Sequence, residues 1–151
     1  MNPQPFAEEV NYWKPGRSDP DSWIEKARKQ VERLGGSVLT YAFGHEVSSG
    51  RAAFVLAFQI GEDKFKVIWP VLSSKTGDDR AARIQAATML YHDVKARCLS
   101  SAVLGARAAF LSYLLLPDGR TVSQMSLPEL AEGLPACLAA GERSALPAAH
   151  R

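Results

Sequence analysis

Three segments rich in aromatic and β-branched residues follow one another closely, and they constrain the fold of this chain more than any other feature. They are predicted as strands at residues 37–46, 51–60 and 64–70, because apolar and polar side chains alternate along them. The connections between them are short, at residues 47–50 and 62–63. Such connections join antiparallel neighbours, so the sequence predicts a three-stranded antiparallel meander.

The two short connections also predict the strand registers. A four-residue loop at 47–50 and a two-residue turn at 62–63 place large apolar residues directly opposite one another, on one face of the sheet. In the first hairpin the predicted pairs are Phe43–Phe54, Tyr41–Leu56 and Leu39–Phe58. In the second hairpin they are Leu56–Trp69, Phe58–Val67 and Ile60–Phe65. This face is therefore predicted to form the core.

The opposite face of the sheet is predicted to carry small side chains in its middle and basic side chains along one edge. It would carry the alternate residues Thr40, Ala42, Gly44, Arg51, Ala53, Val55, Ala57, Gln59, Lys64, Lys66 and Ile68. Small side chains between cations would let an extended ligand lie close to the backbone.

A helix is predicted before the meander. Asp19 is a suitable N-cap and Pro20 suits the first helical position. Trp23 begins an apolar stripe at helical spacing, and two adjacent glycines, Gly35 and Gly36, end the helix.

A second, much longer helix is predicted after the meander. The helical pattern starts at residue 78 or 79 and meets no glycine or proline before Gly105, beyond which it continues to Leu116. Past Leu99 the pattern is apolar on nearly every side. A small domain cannot bury such a cylinder alone, so either the chain kinks near Gly105 and folds back or another subunit covers it.

The predicted fold class is α+β, with an α-β-β-β-α core and a short C-terminal helix. Residues 1–18 form an N-terminal arm, 19–116 the core domain, 117–140 a turn and a short helix that opens on a capping box at Ser126, and 141–151 a disordered tail. The arm carries three aromatic residues, which are predicted to dock either on this domain or on a neighbouring subunit: Phe6, Tyr12 and Trp13.

Composition excludes several classes of protein without selecting a function. A hydrophobic fraction of 46% and a charged fraction of 23% are ordinary for a globular domain, and a net charge of +2 does not by itself indicate nucleic acid. The two cysteines match no metal-ligand spacing, and Cys98 is expected to be a buried thiol. No signal peptide is visible and the leucine run at 114–116 is too short for a membrane span, so a cytoplasmic location and no membrane partner are expected.

Basic residues around the third strand and the start of the long helix form the candidate binding site. Spaced cations and a helix N-terminus are what a phosphate backbone requires, although ordinary solvated charges give the same pattern. Acidic residues interleave with these cations, and no aromatic residue is predicted beside them for base stacking. The candidate nucleic-acid-binding residues are Arg51, Lys64, Lys66, Lys75, Arg80 and Arg83.

Catalysis has no positive support in the sequence. Glu62, Asp63 and Lys64 imitate the (D/E)xK element of restriction-type nucleases, but they fall in a predicted turn. The stretch 74–77 lacks the spacing of a phosphate-binding P-loop, and His92 beside Asp93 lies on a helix where adjacent side chains point about 100° apart. No catalytic residue, metal site or cofactor is predicted.

The order of elements resembles the core of the single-strand annealing superfamily, which includes the eukaryotic recombination mediator and phage annealing proteins. The similar segment is 23–113. It is carried by the strand pair 52–60 and 64–69 and by the stretch 79–83, which opens the long helix. The resemblance implies a non-catalytic oligomeric ring, with single-stranded DNA in a basic groove between the meander and the helix start.

On this resemblance the expected function is single-stranded DNA binding and annealing, in recombination or DNA repair, by a phage or mobile-element protein. The six basic residues named above would contact the phosphates of the strand. RNA has the same phosphate backbone and is a further expected ligand. The alternative is a structural protein of a phage or mobile element that assembles without binding nucleic acid. A metal-dependent nuclease is a third, weaker alternative.

Overall fold

The computed structural model describes residues 4–14, 18–47, 49–125 and 128. The three strands form one antiparallel sheet in the order β1-β2-β3, with helices before and after it, which confirms the α+β class. Three predicted features lie outside the described residues: the helix that opens at Ser126, the residue Cys137 and the tail at 141–151. Beyond residue 125 the structure describes Pro128 alone. The main elements are α1 (Pro20–Arg33), β1 (Ser37–His45), β2 (Ala52–Ile60), β3 (Asp63–Pro70), α2 (Asp79–Leu104) and the short helix α3 (Ala106–Ala109).

The helix α1 begins and ends where the sequence predicts. The Asp19 carboxylate accepts a hydrogen bond from the backbone N–H of Ser22 at 2.9 Å, which caps the helix. Gly35 follows the helix with φ +85°, a conformation that favours glycine. At Gly36 a Cβ would lie 2.8 Å from a Val31 methyl and 2.9 Å from an Ile60 methylene. The second glycine is therefore needed for close packing between the turn and the sheet.

The register predicted for the first hairpin is right in its inner part. Phe43 pairs with Phe54 and Tyr41 with Leu56. Between Val38 and Thr40 the register shifts at a β-bulge, so Val38 instead of Leu39 lies opposite Phe58. An extra residue in one strand changes which side chain faces the core, and the alternation of the sequence did not reveal it.

The register predicted for the second hairpin is wrong by two residues. Ile60 pairs with Asp63, so the turn consists of Gly61 and Glu62, with Gly61 at φ +63°. Because the displacement is an even number of residues, every side chain stays on its predicted face. The observed pairs on the core face are Phe54–Trp69, Leu56–Val67 and Phe58–Phe65.

The core lies between the sheet and the two long helices. Residues from β2, β3, α1 and α2 form one buried cluster, in which the largest fully buried apolar side chains of the sheet are Phe54, Leu56, Phe58, Phe65 and Val67. Strand β1 does not share this burial. Leu39, Tyr41 and Phe43 are 49%, 39% and 43% exposed, which corrects their prediction as core residues.

The chain kinks at Gly105 and folds back, as one of the two alternatives predicted. Gly105 has φ +90°, and after α3 the ring of Phe110 is completely buried against Phe58 and Phe65 at centroid distances of 5.2 and 5.5 Å. Tyr113 donates a hydrogen bond of 2.7 Å to the Asp93 carboxylate, which fastens the returning segment to α2.

Folding back leaves the end of α2 uncovered. Leu99, Val103 and Leu104 are 75%, 83% and 65% exposed.

Upstream of them Cys98 is buried, and burial raises the pKa of its thiol to about 11, as expected for a structural cysteine. Despite its apolar end, α2 is not apolar enough to cross a membrane. No other helix within the described ranges is both long enough and apolar enough to do so.

The N-terminal arm packs on its own domain. The Ala7 N–H donates to the Ser73 carbonyl at 2.8 Å, and Ala7 is fully buried. Further along, Tyr12 stacks on the His92 ring of α2 at a centroid distance of 4.9 Å. The side-chain amide of Gln85, itself buried, donates to three carbonyl groups of the arm. The described arm is therefore part of the domain.

Candidate nucleic-acid interface

The sheet separates the predicted cations into two groups. Lys64 and Lys66 alternate with the buried Phe65 and Val67 along β3, so they project from the face away from the helices. Within the described ranges neither lysine forms an ion pair. Arg80 and Arg83 lie on the other side of the sheet, in the first turns of α2. The six predicted cations therefore do not line one continuous groove.

The two remaining predicted cations lie in different surroundings. The Lys75 ammonium lies 3.2 Å from the Glu9 carboxylate of the arm and 5.5 Å from the centre of the Phe6 ring. Arg51 is half-buried, and one of its terminal guanidinium nitrogens is buried with no hydrogen-bond partner among the described residues. Lys75 therefore stays accessible to solvent but shares its charge with Glu9, whereas Arg51 is less accessible.

A cleft between β1 and the start of α2 combines arginines with exposed aromatic rings. It has a volume of about 440 Å³ and is lined by residues of α1, β1, β2 and α2, among them Tyr41, Phe43, Arg80 and Arg83. The Arg83 guanidinium carbon lies 6.0 Å from the centre of the Phe43 ring, within cation–π range. We call this feature the edge cleft.

The aromatic rings of the edge cleft are held in place from behind. Phe43 packs on the buried Phe54 at a centroid distance of 4.8 Å, and Tyr41 stacks on the same ring at 6.5 Å. The Tyr41 hydroxyl donates to the Asp21 carboxylate at 2.8 Å. Partial burial, together with this hydrogen bond and the Asp21 charge, raises the pKa of Tyr41 to about 12, so the phenol stays neutral. Both rings are therefore ordered surfaces with one side accessible.

Acidic groups limit the positive charge of the edge cleft. Asp19 and Asp21 line it together with Arg80 and Arg83, so the four formal charges cancel. The hydrogen bonds from Ser22 lower the pKa of Asp19, with a smaller contribution from the Arg80 charge, and the carboxylate remains ionised at neutral pH. Stacking on the aromatic rings would consequently have to provide most of the affinity for a nucleic acid bound here.

Within the described residues the outer edge of β1 is open, whereas the outer edge of β3 is covered at its start. At β3 the Leu115 N–H donates to the Lys64 carbonyl at 2.8 Å, and Leu114 forms a bridge with Phe65. Within the described residues no strand pairs with the other edge of the sheet, at β1. An open edge next to exposed apolar side chains is a typical place for another chain to bind.

Three of the groups considered for catalysis have structural partners: Asp63, His92 and Asp93. Asp63, the central residue of the nuclease-like tripeptide, forms a bidentate ion pair with Arg107 of α3, in which Arg107 Nε lies 3.0 Å from Oδ2. Asp93 faces Arg97 and Tyr113, while its neighbour His92 stacks on the arm. In the described part of the chain no three histidine, cysteine or acidic residues are grouped so that they could hold a metal ion.

No family model, curated protein or solved structure matches this chain.

The aromatic component of the edge cleft was missed by the sequence interpretation. Tyr41 and Phe43 were assigned to the core because they pair with the apolar residues Leu56 and Phe54, and that pairing is correct. The error was to assume that residues on the core face of an edge strand are buried as well. The overlooked signal was that the first strand of a meander lies at an edge of the sheet, where a facing helix covers it incompletely.

Proposed function

We propose that this protein is a non-enzymatic, oligomeric single-stranded DNA-binding and annealing protein whose ligand lies in the edge cleft. The bases would stack on Phe43 and Tyr41, and two successive phosphates would contact Arg80 and Arg83. The observation that carries the proposal is the pair of half-exposed, rigidly backed aromatic rings beside two guanidinium groups. Stacking platforms next to cations are the usual means of binding single strands without sequence preference.

The balance of charges in the edge cleft predicts how binding responds to salt. Each phosphate contact to a single strand contributes a slope of about 0.7 in log affinity against log salt concentration. Two arginine contacts therefore give a slope of only about −1.4. A much steeper slope would mean that the strand follows a more basic surface, such as the one containing Lys64 and Lys66.

Charge reversal on the two faces of the sheet tests the proposed path. The double variant Arg80→Glu and Arg83→Glu should abolish binding of a labelled oligothymidylate in a fluorescence-anisotropy titration. The matched control, Lys64→Glu with Lys66→Glu, changes the net charge equally on the opposite face and should reduce affinity only slightly. If the control variant loses binding and the arginine variant retains it, the edge cleft is not the binding site.

Aromatic substitution tests the stacking contribution separately. Phe43→Ala should weaken oligonucleotide binding by about 1–3 kcal/mol, the typical value for one stacked base. Leu39→Ala is the matched control, because Leu39 is an exposed apolar residue of the same strand outside the edge cleft. Equal losses from both substitutions would show that β1 affects binding through general destabilisation.

Assembly without nucleic acid is a second candidate function, and one observation favours it. Leu99, Val103 and Leu104 form an exposed apolar end on α2, and the edge of β1 is open. Native mass spectrometry of the whole chain, with and without oligothymidylate, separates the candidates. An oligomer that never retains DNA would support the assembly protein, whereas DNA retained in a defined stoichiometry would support the binding protein.

A further inference from the structure

The loop that precedes α2 binds a carboxylate of the N-terminal arm. One Oε atom of Glu8 accepts a hydrogen bond from the backbone N–H of Lys75 at 2.9 Å. The other accepts the Ser74 hydroxyl at 2.7 Å, the Thr76 hydroxyl at 3.2 Å and the Thr76 N–H at 3.3 Å. Four donors from three successive residues thus converge on one anionic group that comes from a distant part of the chain. We call residues 74–76 the anion loop.

The donors of the anion loop are oriented by the loop itself. The Ser74 oxygen accepts hydrogen bonds from the backbone N–H groups of Thr76 and Asp78, at 3.2 and 3.1 Å. The Thr76 N–H is thus shared between Ser74 and Glu8, and the Thr76 hydroxyl also lies 3.2 Å from the Ser74 oxygen. Because two N–H groups occupy the acceptor sites of the Ser74 hydroxyl, its only hydrogen is directed towards Glu8. The site is therefore preorganised for an acceptor, because donor and acceptor roles within the loop are already fixed.

The state of Glu8 agrees with a site that prefers an anion. Removal from water would raise the pKa of this carboxyl, but the hydrogen bonds from Ser74, Lys75 and Thr76 outweigh that effect and lower the pKa to about 2. Lys75 adds a positive charge beside the loop, at present shared with Glu9. The anion loop consequently stabilises negative charge by hydrogen bonds as well as by a neighbouring cation.

We propose that the anion loop is a binding site for a phosphate group and that Glu8 occupies it as an internal carboxylate. A phosphate offers at least as many acceptor lone pairs as a carboxylate, so it can accept the same four hydrogen bonds and approach Lys75 as well. The site is distinct from a P-loop, whose glycine spacing this sequence lacks. It also stands independently of the edge cleft, and it does not require the chain to bind DNA.

The arm need not leave the domain for the site to open. Gln85 holds the carbonyl groups of Ala7, Val10 and Asn11 on both sides of Glu8. Rotation of the Glu8 side chain alone would free the four donors while the arm stays docked. Glu8 thus acts as a tethered competitor, and phosphate binding is weakened by the fraction of molecules in which it occupies the loop.

A phosphate titration of the whole chain tests the proposal. Glu8→Gln removes the competing charge with little change in shape. Glu9→Gln is the matched control, because Glu9 belongs to the same arm and pairs with Lys75 but, within the described residues, accepts nothing from the backbone or hydroxyl donors of the anion loop. Any gain in Glu9→Gln therefore measures the release of the Lys75 charge alone. Inorganic phosphate is added at constant ionic strength, and the amide ¹⁵N–¹H signals of Lys75 and Thr76 are followed. If Glu8 occupies the loop about nine-tenths of the time, Glu8→Gln should bind phosphate about tenfold more tightly than the unchanged protein, and higher occupancy gives a larger gain.

Two results would overturn the proposal. One is an absence of saturable shifts at Lys75 and Thr76 in the Glu8→Gln protein, and the other is an equal gain of affinity in Glu9→Gln. Glu8→Asp provides a second variant that keeps the arm charge but withdraws the carboxylate by one methylene. It should bind phosphate with intermediate affinity, and no gain over the unchanged protein would count against an internal competitor.

The same variants separate this inference from the proposed function. If Glu8→Gln binds phosphate but no variant binds oligothymidylate, the anion loop stands and the edge-cleft proposal falls. If oligothymidylate binds and phosphate does not shift the loop amide signals of Glu8→Gln, the edge-cleft proposal stands and the anion-loop proposal falls. A gain in affinity for both ligands in Glu8→Gln would place a phosphate of the bound strand in the anion loop.

Discussion

The buried side chain of Gln85 holds the N-terminal arm, and its removal makes a sharp test of that role. Gln85 is 1% exposed, and its Nε2 lies 2.8, 3.1 and 3.0 Å from the carbonyl oxygens of Ala7, Val10 and Asn11. An amide nitrogen carries two hydrogens, so the equivalent of two full hydrogen bonds is shared among three acceptors. Gln85→Met removes both donors while keeping a side chain of similar length.

The expected loss follows from those two bonds. A neutral hydrogen bond contributes about 0.5–1.5 kcal/mol net, so Gln85→Met should weaken arm docking by about 1–3 kcal/mol. The loss cannot exceed the free energy of docking itself, because a detached arm regains hydrogen bonds to water. The free energy of global unfolding should therefore fall by no more than the docking energy, and the effect should appear first as local opening of the arm.

Amide hydrogen exchange measures that local opening. The Ala7 N–H is bonded to the Ser73 carbonyl at 2.8 Å, and its protection should fall about 5- to 150-fold in Gln85→Met. Thr88→Val is the control, because the Thr88 hydroxyl is buried one turn further along α2 and, among the described residues, bonds to the Ile84 carbonyl and not to the arm. Unchanged protection at Ala7 in Gln85→Met, with Thr88→Val also unchanged, would refute the role assigned to Gln85.

Three further predictions concern packing and pH. Gly36→Ala should lower the free energy of unfolding by about 1–3 kcal/mol in urea titrations, because a Cβ would overlap Val31 and Ile60, whereas a neutral result would show that the turn can relax. Phe110→Ala should cost about 3–5 kcal/mol in the same assay, since its ring is fully buried, and a loss below 1 kcal/mol would mean that the segment after α3 is not part of the core. The pKa of Glu8 is lowered from 4.5 to about 2, so its stabilisation of the arm is complete above pH 4.5 and lost as the pH falls towards 2. Amide exchange of the arm should show this loss, and Glu8→Gln should remove that pH dependence.

Local signals in the sequence were sufficient for most element boundaries and, apart from the bulge at Leu39, for the faces of the sheet. Asp19 and Pro20 predicted where α1 begins, and the side-chain alternation assigned Lys64 and Lys66 to the face opposite Phe65 and Val67. The second register was predicted two residues out of place, yet the faces remained correct because the period of a strand is two. Helix capping and strand alternation depend on near neighbours, which is why they can be predicted from sequence.

The candidate sites depend on contacts that the sequence does not contain. Whether Phe43 is core or surface is decided by how far α1 and α2 extend over the sheet, and this depends on the packing of both helices. Glu8 reaches the anion loop because other segments bind the arm beside it, Ser73 and Gln85 among them. These arrangements join residues far apart in the chain, and no periodic pattern records them.

The sequence by itself therefore determined the α+β class, the meander, both ends of α1, the start of α2 and, apart from the bulge at Leu39, the assignment of side chains to the faces of the sheet. All of these follow from backbone geometry and from the spacing of apolar residues within one element. Only the tertiary structure separated the predicted cations and brought Arg83 beside an exposed Phe43. It alone brought a carboxylate of the arm into the loop before α2, because the distances between elements are set by the packing of the whole domain.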